Sequence, residues 1–285
     1  MDQTDTAATD GFVYIATGSE FVAEAAESAR RLRETMPEAD IALLSDVEPD
    51  ADWFDTHVSI PDPEYGFEDQ ILNLERSPYR RTVYLDTDIY VDEDISDLFQ
   101  LMEYFDIGLA QTATRKAWDV QGVPDCFPEY NSGVMVYKTG ERFSEFVSSW
   151  RSIHFSERDS EETMRNQPSL RKALYESDLR IATLPPEYNC RINFPGQVAG
   201  KVKVFHGRLT SVDGPGAGNY FDIERAVQEI NRTDKPRTFT QLGGITIHTN
   251  REKSLFHRAR LSYRMHGPRH VLVEGGKLLK TKLLG

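Results

Sequence analysis

The sequence is short of cysteine, of lysine and of long apolar runs, and each shortage excludes something. Two cysteines in 285 residues, Cys126 and Cys190, lack the spacing of a metal site. Free thiols in a reducing compartment are the expected state, with one disulfide as the alternative. No stretch approaches the ~18–20 uncharged apolar residues that a spanning helix needs. Residues 1–10 hold neither Lys nor Arg and no apolar run, so no signal peptide is expected and the protein is read as cytoplasmic. Only 10 of the 33 basic residues are Lys, and they face 46 Asp and Glu for a net charge of −13. So acidic a body repels duplex nucleic acid, which is excluded as a partner. It also suits solubility in concentrated salt.

What is present is an ordinary globular composition, with 39% hydrophobic and 28% charged residues, enough to bury a substantial core. The apolar run at 12–17 reads as a buried strand. A helix follows to about Thr35, stopped by Pro37, and a second strand spans 41–44. Strand, helix, strand with short joins opens a parallel α/β sheet. A Pro- and Asp-rich loop covers 46–65, with one short strand at 57–60. Helices are expected over 67–76, 95–103, 142–153 and 162–176, and strands over 82–85, 107–110, 133–137, 179–183 and 202–206. Three glycines in 214–218 mark a flexible loop. The expected organisation is a disordered 1–10, one α/β domain over 11–210, and an irregular extension over 211–285.

Charge breaks sharply near the end. From Arg251 onward nine basic residues face two acidic ones, a net of +7, which leaves −20 on residues 1–250. Leu255, Phe256, Ala259 and Tyr263 fall near one helical face among Arg258, Arg260 and Arg264, before Gly267-Pro268, and 278–284 again mixes Leu with Lys. This pattern suits docking on an anionic membrane surface, peripherally at its inner face, beside a lipid-linked acceptor. The alternative is a tail clamped on the acidic body.

The chemistry concentrates at Asp86-Thr87-Asp88, directly after the apolar Val83-Tyr84-Leu85. A turn there points both carboxylates out of the strand's carboxyl end, where open α/β sheets place their ligands. Two hard oxygen donors without a full protein cage suit Mg²⁺ or Mn²⁺ completed by phosphate oxygens and water. A solvated Asp pair capping a turn would look the same. An EF-hand loop is excluded, because Val91 and Asp97 stand where it needs Gly and Glu. A haloacid-dehalogenase-like phosphatase is weakened by Tyr90 and by the motif's distance from the start, but stays open.

Tyr84-Leu85-Asp86-Thr87-Asp88, followed by Asp94-Ile95 and Asp97-Leu98-Phe99, resembles the metal-binding strand and following helix of glycosyltransferase family 8. Further segments occur in the family's order. Tyr130-Asn131-Ser132-Gly133 is similar to its N-S-G segment, Asn166-Gln167-Pro168-Ser169-Leu170 to its D-Q-x-x-L, and Leu184-Pro185-Pro186-Glu187-Tyr188-Asn189 to its L-P-x-x-x-N. Phe205-His206-Gly207 resembles its late strand ending in a metal-binding His. The resemblance covers about residues 12–208 and implies a retaining, metal-dependent transferase of the GT-A, nucleotide-diphospho-sugar transferase fold, with a mixed, mainly parallel sheet. It implies Asp86, Asp88 and His206 as ligands of Mn²⁺ or Mg²⁺. It implies Ala16, Thr17, Gly18 and Asp86-Thr87-Asp88 at a nucleotide-diphosphate sugar, UDP-sugar being favoured, and Asn131, Asn166 and Gln167 near the reacting sugar. The acceptor would be a glycan, lipid-linked in the membrane reading. Three departures stand out: the family's K-P-W is replaced by Arg208-Leu209-Thr210, its Asp is Asn166, and no acidic residue follows the first strand. A phosphatase or nucleotide-sugar hydrolase is the alternative enzyme, and a non-catalytic sugar-nucleotide-binding module the alternative from another class.

Overall fold

The computed structural model describes residues 10–112, 118–158, 165–207, 223–242 and 245–248, with isolated positions between 263 and 273. Two compact units divide the chain, Met1–His248 and Thr249–Gly285.

In the first unit β1 (Asp10–Ala16) leads through α1 (Ser19–Thr35) to β2 (Ile41–Ser45) and β3 (Thr56–Ser59). Next come α2 (Glu68–Asn73), β4 (Arg81–Leu85), β5 (Ile89–Val91) and the single turn α3 (Leu98–Leu101). Then follow β6 (Ile107–Gln111), β7 (Tyr130–Lys138), α4 (Glu141–Arg158), α5 (Gln167–Glu176) and β8 (Ile181–Leu184). The last part holds β9 (Cys190–Arg191), β10 (Gly196–Val198), β11 (Val204–His206), α6 (Ile223–Ile230), β12 (Arg237–Leu242) and β13 (Ile245–His248).

Seven strands form the central sheet in the order β3-β2-β1-β4-β7-β6-β8. Only β7 runs against the others, pairing antiparallel with β4 and β6, so the sheet is mixed and mainly parallel as expected. The apolar runs are continuous because both faces are covered. Phe12 and Tyr14 of β1 pack on one face with Leu32 of α1, Leu43, Val83 and Val136. Their neighbours Val13 and Ile15 pack on the other with Leu44, Tyr84, Met135, Trp150 and Leu170. Period-two alternation across one strand therefore feeds two cores.

Three boundaries differ from the expectation. Asp10, placed in the disordered terminus, already pairs with Arg81 in register on β4, and its carboxylate accepts a 2.6 Å bond from Arg81 Nη2. The helix expected over 95–103 shrinks to α3, since the flanking Asp and Ser residues prefer turns over helix interior. The sequence boundary at 210 lies inside the first unit. The stretch 223–248, read as irregular, holds α6, β12 and β13. Ile223, Ala226, Val227, Ile230 and Phe239 close a third core around Cys190, Ile192, Val198 and Phe205.

The residues 211–222 lie outside the described set, as do the 214–218 glycines. Most of the basic tail does too. In the second unit Tyr263 and Arg264 are helical, and Gly267 at φ 79° separates them from helical Pro268. Among the described residues no helix is long and apolar enough to cross a membrane, and Cys126 and Cys190 are unpaired thiols.

Candidate metal and nucleotide-sugar site

Asp86, Thr87 and Asp88 form the link between two sheets. Asp86 leaves the end of β4, where its N–H donates to the Gly133 carbonyl at 2.8 Å. Asp88 precedes β5, which pairs antiparallel with β11 so that Ile89 stands opposite His206. The small sheet β5-β11-β9 is thus what carries His206 back to the carboxylates across 118 residues of chain, and Gly207 N–H seals the join on the Asp88 carbonyl at 3.0 Å.

His206 Nε2 lies 3.2 Å from Asp88 Oδ1 and 3.6 Å from Asp86 Oδ2. One ligand atom from each of the three residues falls within 4.8 Å of the others. The His206 side chain is 8% exposed, against 31% for Asp86 and 23% for Asp88, so the carboxylates face the open side. Nδ1 of His206 sits 2.8 Å from the Asn189 amide oxygen, while Asn189 Nδ2 donates to Asn131 Oδ1 at 2.8 Å. This chain orients the amide so that Nδ1 carries the proton, leaving Nε2 to the carboxylates, an arrangement that prepares an imidazole as a metal ligand. Burial pushes the Asp86 carboxyl up, opposed by His206 and reinforced by Asp88. Burial pulls His206 down, but Asp88 and Asp86 more than reverse it and raise its pKa. Two carboxylates and an imidazole that gives up its Nε2 proton when a cation binds form a hard, anionic donor set of the kind that fits Mn²⁺ or Mg²⁺.

Gly133 completes the cluster by omission. A Cβ there would lie 2.3 Å from His206 Cε1 and 2.7 Å from Asp86 Oδ2, so only a residue without a side chain lets these two approach.

Beside β4 in the sheet, β1 ends at Ala16-Thr17-Gly18. Thr17 Oγ1 donates to Asp69 Oδ2 at 2.6 Å, and Gly18 N–H donates to Asp46 Oδ1 at 2.8 Å. Gly18 has φ 84°, a conformation that glycine adopts freely. Asp69 also accepts the N–H groups of Glu64 and Tyr65 at 2.8 Å each. It thereby holds Tyr65, a residue 66% exposed, at φ 56°. Asp46, Asp69 and Tyr65 were not singled out from sequence. They sit in a Pro- and Asp-rich loop and a short helix that carry no recognisable spacing.

Thr87 turns its hydroxyl to Glu24 of α1 at 2.5 Å, a bond between elements. Asn131, expected near the sugar, commits its amide oxygen to Asn189 and, at 3.1 Å, to Gly133 N–H. Asn166 joins the same neighbourhood, since its Nδ2 donates to Gln70 Oε1 at 2.5 Å and lies 3.4 Å from Ser132 Oγ. Gln167 follows as the first residue of α5, and its Nε2 is buried with no hydrogen-bond partner. Such an orphan donor is costly unless a ligand completes it.

The protein has the GT-A fold of solved glycosyltransferases. It superposes on the glycosyltransferase GlyE of Streptococcus pneumoniae TIGR4 with a TM-score of 0.51 at 17% identity, covering 65% of this chain and 48% of that one. It superposes on the galactosyltransferase LgtC, solved with donor and acceptor sugar analogs, with a TM-score of 0.51 at 12% identity, covering 79% of this chain and 96% of that one. The chain therefore spans about half the length of GlyE. No protein-family model and no curated protein matches the sequence.

Proposed function

We propose that the protein is a retaining glycosyltransferase that moves a sugar from a nucleotide-diphosphate donor, a UDP-sugar by preference, to an acceptor hydroxyl. The observation that carries this reading is the convergence of Asp86, Asp88 and His206 at the carboxyl end of β4, beside the end of β1. Asp86, Asp88 and His206 would hold Mn²⁺ or Mg²⁺, which when bound neutralises charge developing on the leaving diphosphate. Asn189 keeps the His206 tautomer. Ala16, Thr17 and Gly18 lie under the nucleotide, and Gly18 lets its base approach the backbone closely. The buried Nε2 of Gln167 offers a hydrogen bond to a sugar or departing oxygen, beside Asn166 and Asn131. A neutral amide is a poor nucleophile, so attack by the acceptor hydroxyl on the face the diphosphate leaves is favoured over a covalent adduct.

The test is a screen of nucleotide sugars with Mn²⁺ and a set of glycan acceptors, reading thermal shift, free nucleoside diphosphate and, by NMR, the anomeric configuration of the product. One donor is expected to stabilise the protein and give product of the donor's own configuration. Stabilisation without release would make the protein a binding module, inversion would remove the retaining assignment, and phosphate release from simple monoesters would make it a phosphatase.

The +7 charge from Arg251 onward supports a lipid-linked glycan as acceptor, with the enzyme cytoplasmic and peripheral at the inner face of the membrane. In flotation with anionic liposomes at low salt, the full chain is expected to rise with the vesicles and a chain ending at Asn250 to stay behind. If both stay in the soluble fraction at every salt concentration, membrane docking is wrong.

A further inference from the structure

A cavity of about 640 Å³ is lined by Gln111, Thr183, Pro185, Gln197 and Phe239, together with Asn189 and Arg191. Asn189 also touches the metal cluster, where its amide oxygen meets His206 Nδ1. The cavity is therefore one side chain away from the cluster. Its walls mix amide and hydroxyl groups with two prolines, Leu184, Val198 and one aromatic ring, the composition of a site for a polar ligand with an apolar edge.

Arg191 is the unusual member. It stands opposite His206 in the parallel pairing of β9 with β11, so the two side chains leave their strands toward the same face of the small sheet. Its guanidinium lies over the Phe194 ring, 4.3 Å from the centroid, and its Nε is buried with no hydrogen-bond partner. Burial lowers its pKa, while Asp86, Asp88 and Glu129 support the charge and Arg165 opposes it. Arginine stays charged through such a shift. A planar cation braced on an aromatic face, with a buried N–H awaiting an acceptor, is preorganised for a bidentate oxyanion.

We propose that Arg191 binds an oxyanion, a phosphate or a carboxylate, of the ligand that reaches this cavity. The transferase reading makes two sources available: an acidic group on the acceptor, and the diphosphate of the donor. This inference rests on that reading only for which ligands are worth offering.

The experiment measures binding without turnover, in chelator and without added metal, using the full chain. Calorimetric or NMR titration compares glucose 6-phosphate and glucuronate with neutral glucose, and UDP with uridine. Charge-assisted bonds of this kind support a preference of about 10- to 100-fold for the anionic member of a pair. Arg191→Gln is expected to erase that preference, and Arg191→Lys to keep part of it, since a point charge replaces the fork. Loss confined to the acidic sugars assigns the oxyanion to the acceptor. Loss confined to UDP assigns it to the donor. Unchanged preference in both pairs with Arg191→Gln, at an unchanged melting temperature, would overturn the proposal. If Arg191→Gln melts early, Arg191→Lys decides, with a preference equal to that of the wild type counting against it. A transferase with an anion-blind cavity fails this test, and a protein that transfers no sugar can still pass it, so the two readings fail separately.

Discussion

Asp88→Ala is expected to lower sugar transfer by ~10²–10³-fold or more at saturating donor and Mn²⁺, the scale on which transition-state charge stabilisation is lost when a positioned group is removed. Its carboxylate closes the cluster 3.2 Å from His206 Nε2, on a side chain that is 23% exposed. Truncation therefore removes a donor without opening a core. The backbone of the turn remains held, because Gly207 N–H bonds the Asp88 carbonyl rather than its side chain. The melting temperature should accordingly stay within a few degrees of wild type. Initial rates and a thermal melt check both halves. Full activity of the variant in excess chelator would remove the metal from the proposal altogether.

Gly133→Ala should do comparable damage from outside the donor set. The added methyl would sit 2.3 Å from His206 Cε1 and 2.7 Å from Asp86 Oδ2, and neither neighbour is free to yield. His206 is held by Asn189 at 2.8 Å, and Asp86 by the Tyr84 hydroxyl at 2.7 Å. Overpacking at such a position costs about 1–3 kcal/mol, and here the strain falls on the two groups that would share the cation. Transfer is expected to fall roughly 10²-fold, with the apparent affinity for Mn²⁺ weakened and a lower melting temperature. Wild-type Mn²⁺ dependence in this variant would show that the close approach of Asp86 and His206 has no part in metal binding.

How far the site could be read from sequence depended on whether a residue's role is local. Asp86 and Asp88 were legible because an apolar strand delivers them to a carboxyl edge, a relation contained in the six consecutive residues 83–88. His206 became legible only through the order of segments along the chain, since nothing near it says which strand it pairs with. The pairing of β5 with β11 supplies that link. Asn189 closes the Leu184–Asn189 segment, yet its hydrogen bonds to His206 and Asn131 are tertiary facts with no local signal. The same holds for Asp69, which ties Thr17 to the backbone at Tyr65, and for Gln70, which holds Asn166. The inner strands β2, β1, β4, β7 and β6 of the central sheet announced themselves by apolar runs buried on both faces. The β10-β12-β13 sheet did not. Two of those strands follow the glycine-rich stretch and carry few consecutive apolar residues, and Phe239 of β12 finds its core partners among residues such as Cys190, Val198 and Phe205 elsewhere in the chain.

The most direct measurement is the binding of Mn²⁺ itself. Electron paramagnetic resonance would follow free Mn²⁺ as it is titrated into the full chain with a nucleoside diphosphate present, for wild type, Asp88→Asn and His206→Ala. One tight Mn²⁺ per chain is expected for wild type. That binding should weaken by at least tenfold in each variant, while melting temperatures stay close. Equal Mn²⁺ affinity in all three proteins, or none in wild type, would contradict the assignment of Asp86, Asp88 and His206 as a cation site.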